Sequence, residues 1–254
     1  MKLMDRNVTG NFVRLLASWY SKLFCSVKWG NSFSNTFSLC QGVRQGGILS
    51  PVLFAVFVNS ILTKLEKSNS GCYLKTIYFN SFMYADDLLL LAISLSDMQK
   101  LIDICAKECK EIGMEINSKK SACMRIGLRH NCNARSLTIN GTVLPWKNEI
   151  RYLGIIINSS KHFTFNIQCV KHKFFRALNG IFGKVNLNTS VEVLCSLIYT
   201  YCIPILLYGC ESLSWNAKQI SSIENACTQA FGKMLKTFDK NSLWKVNFSW
   251  DVYL

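Results

Sequence analysis

Apolar residues recur at helical spacing in several stretches of the chain. In residues 11–24, apolar side chains every three or four positions form one helical face. Ser50-Pro51 begins another such stretch, with Ser at the N-cap and Pro in the first turn, and Ser96-Asp97 begins a third. The full pattern predicts helices over residues 11–24, 50–67, 96–112, 165–183, 191–208 and 218–237.

Short apolar runs bounded by Gly, Asn or Ser predict strands. The strongest hairpin signal is Asn140-Gly141 within residues 137–144, because an Asn-Gly pair fits the tight turn that joins antiparallel strands. Gly30-Asn31-Ser32 joins two more predicted strands in the same way. The remaining runs predict strands over residues 25–29, 33–39, 73–79, 122–126 and 151–157, and on both sides of Asp86.

The order of these elements predicts two regions. Strands and helices alternate up to about residue 158, whereas only helices are predicted after it. This order favours an α+β fold followed by a helical region. A chain of 254 residues is long enough for one large domain, or for a domain with a smaller appendage.

The distribution of charge along the chain indicates a binding partner. The net charge is +14, and residues 116–191 carry +11 of it, with twelve lysines and arginines against one acid, Glu149. We call these residues the basic stretch. A band of one sign fits a nucleic-acid backbone, with Lys171, Lys173 and Arg176 as predicted contacts. The alternative is a solvated basic surface that aids solubility.

Cysteine usage and the chain start indicate the compartment. The twelve cysteines include no Cys-x-x-Cys pair, so reduced, mostly buried thiols are favoured over a zinc site or disulfides. No long apolar segment opens the chain, so we expect an intracellular protein of the nucleus or cytoplasm that is not secreted. Residues 193–210 are uncharged, but we favour a buried helix, bent or ended near Pro204, over a membrane span.

Two adjacent carboxylates, Asp86 and Asp87, lie between Phe82-Met83 and the apolar residues 88–92. An unpaired charge in a buried strand is costly, so the pair is predicted to lie at the mouth of a strand hairpin and to have a partner. Mg²⁺ accepts one or two carboxylates and keeps water and phosphate ligands, and a pair of such ions assists phosphoryl displacement. An ordinary turn, where Asp is common, is the alternative.

Three motifs in the first half of the chain resemble those of reverse transcriptases. Residues 42–54, which include Gln45-Gly46, resemble the template- and nucleotide-handling motif of that family. Tyr84-Ala85-Asp86-Asp87 resembles the metal-binding hairpin, and residues 113–121 resemble the next motif, with its lysine at Lys120.

Two further motifs follow in family order. Tyr152-Leu153-Gly154 resembles the primer-grip strand, and residues 208–215 resemble the thumb-side sequence of non-LTR retrotransposon polymerases. The resemblance covers about residues 12–215. It implies a right-hand polymerase palm, an antiparallel sheet with helices, at residues 1–158. It also implies an α-helical thumb-like region at residues 159–254.

The resemblance implies RNA-directed DNA synthesis from deoxynucleoside triphosphates, on an RNA template with a DNA primer. The cofactor would be Mg²⁺, with Mn²⁺ as an alternative, and no membrane is involved. Asp86 and Asp87 would be the catalytic metal ligands. The other implied contacts are Gln45 and Gly46 with nucleotide and template, Lys120 with the triphosphate, and Tyr84, Tyr152, Leu153 and Gly154 with the primer.

The sequence also departs from the family. An earlier motif with another metal-binding aspartate is missing, Asp5 lacks the aromatic-Asp pattern, and the fingers are absent. We therefore expect an N-terminally truncated fragment that is inactive in isolation. One alternative is a degenerate retroelement fragment that binds nucleic acid without catalysis. The other, an interaction domain with Asp86-Asp87 as a plain turn, leaves the ordered motifs unexplained.

Overall fold

The computed structural model describes residues 2–39, 42–185 and 189–236, and these form seven α-helices and thirteen short strands. The helices are α1 Gly10–Tyr20, α2 Ser50–Glu66, α3 Leu95–Glu111, α4 Ile167–Phe182, α5 Val191–Tyr201, α6 Ile203–Leu207 and α7 Ala217–Leu235. The strands are β1 Phe24–Cys25, β2 Lys28–Trp29, β3 Ser32–Phe33, β4 Phe37–Ser38, β5 Cys72–Leu74, β6 Ile77–Phe79, β7 Ser81–Tyr84, β8 Asp87–Leu90, β9 Thr138–Ile139, β10 Thr142–Val143, β11 Glu149–Tyr152, β12 Ile155–Asn158 and β13 Thr164–Phe165.

The chain divides into two compact units. Unit 1 comprises Met1–Ala122 and Ala134–Pro145, and unit 2 comprises Cys123–Asn133 and Trp146–Leu254. Residues 146–158 therefore group with the helices that follow them, whereas the sequence places the boundary after residue 158. The assignment of residues 1–158 as palm and 159–254 as thumb-like stays a prediction.

The core of unit 1 lies between α2 and α3. Apolar side chains at helical spacing meet there, so that each helix buries one face. The fully or nearly buried members are Val58, Ile61 and Leu65 of α2 and Leu101, Cys105 and Cys109 of α3. Beside this core the Nζ atom of Lys64 lies 2.6 Å from Oε1 of Glu108, which gives the buried glutamate its partner.

Both helix starts differ from the prediction by one or two residues. Leu49, not Ser50, is the N-cap of α2, and Pro51 lies in its first turn. The N-cap of α3 is Ser94, whose Oγ accepts a hydrogen bond from the backbone N–H of Asp97. Ser96 lies inside the helix instead, so the predicted cap at Ser96 is wrong.

The strands of unit 1 form separate two-stranded ribbons. The strand predicted over residues 73–79 is instead a hairpin of β5 and β6, which turns at Lys75, where φ is 55°. The predicted hairpins around Gly30 and Asn140 are both present, as β2–β3 and β9–β10. Residues 122–126 form no strand, because Cys123 makes only an isolated bridge to Trp146, which lies in unit 2 with it.

Unit 2 combines the three-stranded sheet β11–β12–β13 with the helices α4 to α7. The strand predicted over residues 151–157 is in fact a hairpin, because β11 and β12 are joined by a two-residue turn at Leu153-Gly154. The helical core is built mainly from Phe174 and Leu178 of α4, Ile198 of α5, Leu206 of α6, and Ala230 and Phe231 of α7.

The uncharged stretch near Pro204 forms two helices. As predicted, the chain bends there, since α5 ends at Tyr201 and α6 begins at Ile203 with Pro204 in its first turn. In the part of the chain that is described, Val191–Ser212 is the one helical stretch long and apolar enough to cross a membrane, and 22% of its apolar window is buried. The predicted burial therefore holds for Ile198 and Leu206, whereas Val193 and Tyr199 are exposed.

Candidate functional site

The two aspartates lie at the turn of the hairpin β7–β8, as the sequence predicts. Tyr84 pairs with Asp87 across the strands, and Ala85 and Asp86 form the turn between them. The next pair, Met83 and Leu88, packs against the α2–α3 core. Since side chains alternate between the faces of a strand, Tyr84 and Asp87 lie on the face that points away from this core.

The environment of the aspartates differs from the one inferred from the sequence. Asp86 and Asp87 are both exposed, so burial does not create the need for a partner. The hairpin holds them by its backbone. Ala85 adopts a left-handed conformation with φ 51°, which costs a residue with a Cβ about 1 kcal/mol. The ladder pairs and the packing of Met83 and Leu88 maintain that conformation.

The donor set of this hairpin fits a hard divalent cation only in part. Two neighbouring carboxylates suit Mg²⁺ or Mn²⁺ when water and phosphate supply the other ligands. Across the described ranges, no group of three or more His, Cys, Asp or Glu side chains could hold a metal ion. Asp5 lies in the one-turn helix Met4–Arg6 and belongs to no such group.

The glycine-rich loop before α2 is a closed turn. The carbonyl oxygen of Arg44 accepts two hydrogen bonds, from the N–H of Gly47 at 3.1 Å and from Oγ of Ser50 at 2.5 Å. Gly46, with φ 77°, occupies the left-handed corner of this turn, a conformation that glycine adopts without strain. Gln45 and Gly46 are consequently presented at the surface, and both are exposed.

Lys120 lies in a turn that follows α3. Its backbone N–H donates to the carbonyl oxygen of Asn117 at 3.1 Å, and its side chain is exposed. The preceding residues Met114 and Ile116 pack on the α2–α3 core and thereby fix where this turn begins. Within the described residues, no hydrogen bond or ion pair joins Lys120 to Gln45 or to the aspartate hairpin.

The motif Tyr152-Leu153-Gly154 forms the turn between β11 and β12 in unit 2. Leu153 and Gly154 both adopt positive φ, 45° and 87°. The carbonyl oxygen of Leu153 accepts a hydrogen bond from the Tyr208 hydroxyl at 2.8 Å. The carbonyl oxygen of Gly154 accepts one from Nζ of Lys173 at 3.3 Å. The sequence singled out the region of Tyr208 by resemblance but gave no sign of this contact.

The three residues of α4 that are predicted to contact a nucleic-acid backbone differ in their internal hydrogen bonds. Lys171 donates from Nζ to Oγ of Ser222 at 3.0 Å, and Lys173 donates to Gly154. Both ammonium groups thus hold parts of unit 2 together. Arg176 is exposed and makes no hydrogen bond or ion pair with the residues described. It is therefore the member of the three that can bind a phosphate without breaking an internal contact.

The family model for "Reverse transcriptase (RNA-dependent DNA polymerase)" matches residues 4–157 of this chain. That span contains the glycine-rich loop, the aspartate hairpin, Lys120 and the turn at Leu153-Gly154. The match therefore extends over four of the five motifs from which the sequence predicted this family, and residues 208–215 lie beyond it.

Relatives from mobile elements are also found. The chain is 25% identical over 179 residues to the retrovirus-related Pol polyprotein from type-1 retrotransposable element R1 of Nasonia vitripennis, covering 66% of this chain and 50% of that protein. It is 26% identical over 208 residues to the corresponding R2 polyprotein of Popillia japonica, covering 78% and 33%. It is 26% identical over 175 residues to the RNA-directed DNA polymerase from mobile element jockey of Drosophila funebris, covering 63% and 18%. The chain thus spans half or less of the length of these relatives.

Proposed function

Because the chain belongs to the reverse transcriptase (RNA-dependent DNA polymerase) family, of the non-LTR retrotransposon type, we propose that it carries out RNA-directed DNA synthesis as the palm and thumb-like parts of such an enzyme. The observation that carries the proposal is the exposed aspartate pair on a hairpin turn inside the matched span. The substrates would be an RNA template, a DNA primer and deoxynucleoside triphosphates.

In this proposal Asp86 and Asp87 hold Mg²⁺ or Mn²⁺. The ion, when bound, offsets the negative charge that the phosphate oxygens carry during nucleotidyl transfer. Asp86 lies in the turn itself, whereas Asp87 begins β8 and pairs with Tyr84 in the ladder. We therefore assign Asp86 as a ligand and Asp87 as a ligand or as its support.

The neighbouring residues of unit 1 contact the substrates in this proposal. The exposed ring of Tyr84 stands on the same face as Asp87 and borders the primer terminus. Gln45 and Gly46 line the nucleotide and template pocket, where the missing Cβ of Gly46 permits a close backbone approach. Lys120 offers an exposed ammonium group to the incoming triphosphate.

The residues of unit 2 contact the primer and the duplex in this proposal. Tyr152, Leu153 and Gly154 hold the primer end. Arg176, the exposed cation of α4, binds a backbone phosphate. Lys171 and Lys173 add to the positive potential of the same helix while they keep their internal hydrogen bonds.

A second candidate function is nucleic-acid binding without catalysis. The observation that favours it is the lack of a third potential metal ligand near the aspartate pair, among the residues that the structure describes. The basic stretch, with +11 of the net charge, would support binding on its own. The two functions share every predicted nucleic-acid contact and differ only in the chemistry at Asp86.

Primer extension separates these functions. The full chain is assayed on an RNA template with a DNA primer, deoxynucleoside triphosphates and Mg²⁺, and filter binding is measured on the same samples. Asp86→Asn removes a charge from the proposed site. Asp103→Asn is the matched control, because Asp103 is an exposed acid on α3 whose Oδ1 accepts a hydrogen bond from Gln99.

Extension in the wild type and in Asp103→Asn, together with its loss in Asp86→Asn with binding retained, would support the polymerase proposal and overturn the expectation that the chain is inactive in isolation. Binding without extension in all three proteins would favour the second function. Extension that survives in Asp86→Asn would remove the assignment of Asp86, and a failure to bind the primer–template would remove both functions.

A further inference from the structure

The turn at Leu153-Gly154 is held from outside its own hairpin. The ladder of β11 and β12 closes it through the pair Tyr152 and Ile155. Both carbonyl oxygens of the turn are then bonded by side chains that come from the helical part of unit 2, Tyr208 and Lys173. We infer that Tyr208 and Lys173 are positioning residues that fix this turn for the primer end. This role rests on the proposed function of the turn.

The Tyr208 contact is the better defined of the two. Its hydroxyl donates to the carbonyl oxygen of Leu153 at 2.8 Å, near the optimum for an O–H donor. The two residues are 55 positions apart, so the bond ties the turn to the segment that follows α6. Leu153 has a Cβ and a left-handed φ of 45°, so its peptide needs an external partner to hold that orientation.

Glycines permit this close approach on both sides. A Cβ added to Gly154 would lie 3.3 Å from Cε1 of Tyr208, so the ring packs directly on the turn. A Cβ added to Gly209 would lie 2.7 Å from Cδ1 of Ile155, the residue that ends the turn. The segment Tyr208-Gly209 therefore lies directly against Gly154-Ile155, and the hydroxyl contact belongs to a continuous packing surface.

The Lys173 contact holds the second carbonyl oxygen. Its Nζ donates to Gly154 at 3.3 Å, a longer and weaker bond than that of Tyr208. Lys173 is half-buried, which favours a fixed direction for its side chain over free rotation in solvent. Its position on α4 connects the turn to the helix that also carries the exposed Arg176.

The turn and Tyr208 border open space. We call Tyr208 and Lys173, the two side chains that hold the turn, the clamp. Tyr152, Leu153, Tyr208 and Glu211 are among the residues that line a cleft of about 560 Å³. The end of a nucleic acid could therefore reach the side of the turn that Tyr208 holds in place. Removal of the Tyr208 hydroxyl should loosen that side without changing the charge of the protein.

The first test measures the clamp itself, in the free full chain. Tyr208→Phe removes only the hydroxyl, and Tyr201→Phe is the matched control, because Tyr201 is an exposed tyrosine on α5. We expect hydrogen exchange of the amides of Tyr152 and Ile155 to accelerate about five- to tenfold in Tyr208→Phe, the effect of one lost hydrogen bond. Equal exchange in the two variants would overturn the inference, whatever the chain does with nucleic acid.

The second test asks whether the clamp positions the primer. A DNA primer with 2-aminopurine at its 3′ end is annealed to an RNA template, and a second primer carries the probe internally. We expect Tyr208→Phe to bind both duplexes with an affinity within about twofold of wild type, because no charge is lost. In Tyr208→Phe, the fluorescence change on binding should be mostly lost for the probe at the 3′ end. The internal probe should keep its fluorescence change on binding.

The outcomes separate the inference from the proposed function. If exchange accelerates but the terminal signal is unchanged, the clamp is merely structural and the inference is wrong. If the wild-type chain fails to bind the duplex, the proposed function fails while the exchange result still decides whether Tyr208 holds the turn. Lys173→Met should show the same terminal loss, whereas Lys107→Met, which removes the same charge from an exposed site outside the basic stretch, should not.

Discussion

Ser50 closes the glycine-rich loop with its side chain. It is buried, and its Oγ donates to the carbonyl oxygen of Arg44 at 2.5 Å. Gly47 lies inside this closure, because a Cβ added to Gly47 would meet the Ser50 Oγ at 2.7 Å and the Arg44 carbonyl oxygen at 3.2 Å. The two residues are therefore complementary, and the space at position 47 depends on the hydroxyl at position 50.

A double-mutant cycle tests this dependence. Gly47→Ala should destabilise the protein by about 1–3 kcal/mol, because the new methyl group overpacks the loop. Ser50→Ala should cost about 1 kcal/mol through loss of a partly buried hydrogen bond. In the double variant the closest clash is gone, so the total cost should be smaller than the sum of the two single costs. Urea denaturation measures all three.

Gly10→Ala is the control for this cycle, since nothing lies within 4 Å of a Cβ at Gly10. It should leave the urea midpoint nearly unchanged. Strict additivity of Gly47→Ala and Ser50→Ala would show that the loop does not have the closed form described.

At the scale of elements, the start of α3 depends on one side chain. Ser94 accepts from the N–H of Asp97 at 3.0 Å, and its hydroxyl donates to Oδ2 of Asp97 at 2.6 Å. This hydrogen bond is the main reason that the pKa of Asp97 is lowered below its ordinary value of 3.8. A carboxylate in the first turn also interacts favourably with the helix dipole.

Ser94→Ala should therefore destabilise the protein by about 1 kcal/mol, as loss of an N-cap does, and Ser96→Ala should cost far less. Because the folded pKa of Asp97 is lowered, its contribution is full above pH 3.8 and disappears as the pH falls through the lowered value. The difference in the free energy of unfolding between wild type and Ser94→Ala should accordingly become smaller below about pH 3.8. The midpoints of urea denaturation at pH 7 and pH 3 measure this difference. A larger loss of stability in Ser96→Ala than in Ser94→Ala would contradict the assignment of Ser94 as the N-cap.

Hairpins show how far the sequence predicts the elements. Among the described residues, five two-residue turns begin with a left-handed residue: Gly30 with φ 58°, Lys75 with φ 55°, Ala85 with φ 51°, Asn140 with φ 48° and Leu153 with φ 45°. Only Gly30-Asn31 and Asn140-Gly141 have the local signature of such a turn. The turn at Ala85-Asp86 was predicted from its flanking apolar runs and from resemblance. The turn at Leu153-Gly154 was missed, since a leucine seldom adopts positive φ unless contacts elsewhere maintain it.

The candidate site was predictable in its residues but not in its environment. Spacing and resemblance identified Asp86, Gln45 and Lys120, and the structure presents all three at the surface of unit 1. The exposure of the aspartates could not be read from their apolar neighbours, because Asp86 lies in the turn and Asp87 lies on the face of β8 that points away from the core. The contact of Tyr208 with Leu153 spans 55 residues, so no local pattern could indicate it.

At the scale of the whole molecule, two separate cores support the two units. One is built from α2 and α3, and the other from α4 to α7. The sequence predicts the change from mixed to helical structure after residue 158, whereas the compact units divide between Pro145 and Trp146. Residues 146–158 belong to unit 2 because their partners come later in the chain, as Tyr208 does for Leu153. Local periodicity carries no record of such partners.

The distribution of charge over the molecule leads to the last prediction. Counterions released from a nucleic acid set the salt dependence of binding, so each lost phosphate contact should reduce the slope of log K against log salt by about one unit. Reversal of charge at Lys171, Lys173 and Arg176 together should weaken binding and flatten the slope. Two of these residues also hold internal hydrogen bonds, so Arg176→Gln alone is the cleaner test.

Lys107→Gln is the matched control for Arg176→Gln, because Lys107 is an exposed cation on α3 and lies outside the basic stretch. Filter binding of an RNA–DNA duplex across a salt series should give a slope lower by about one unit for Arg176→Gln and a slope near that of wild type for Lys107→Gln. Equal slopes for the two variants would mean that only the net charge attracts the duplex. In that event α4 would make no specific phosphate contact, and the basic stretch would be a solvated surface.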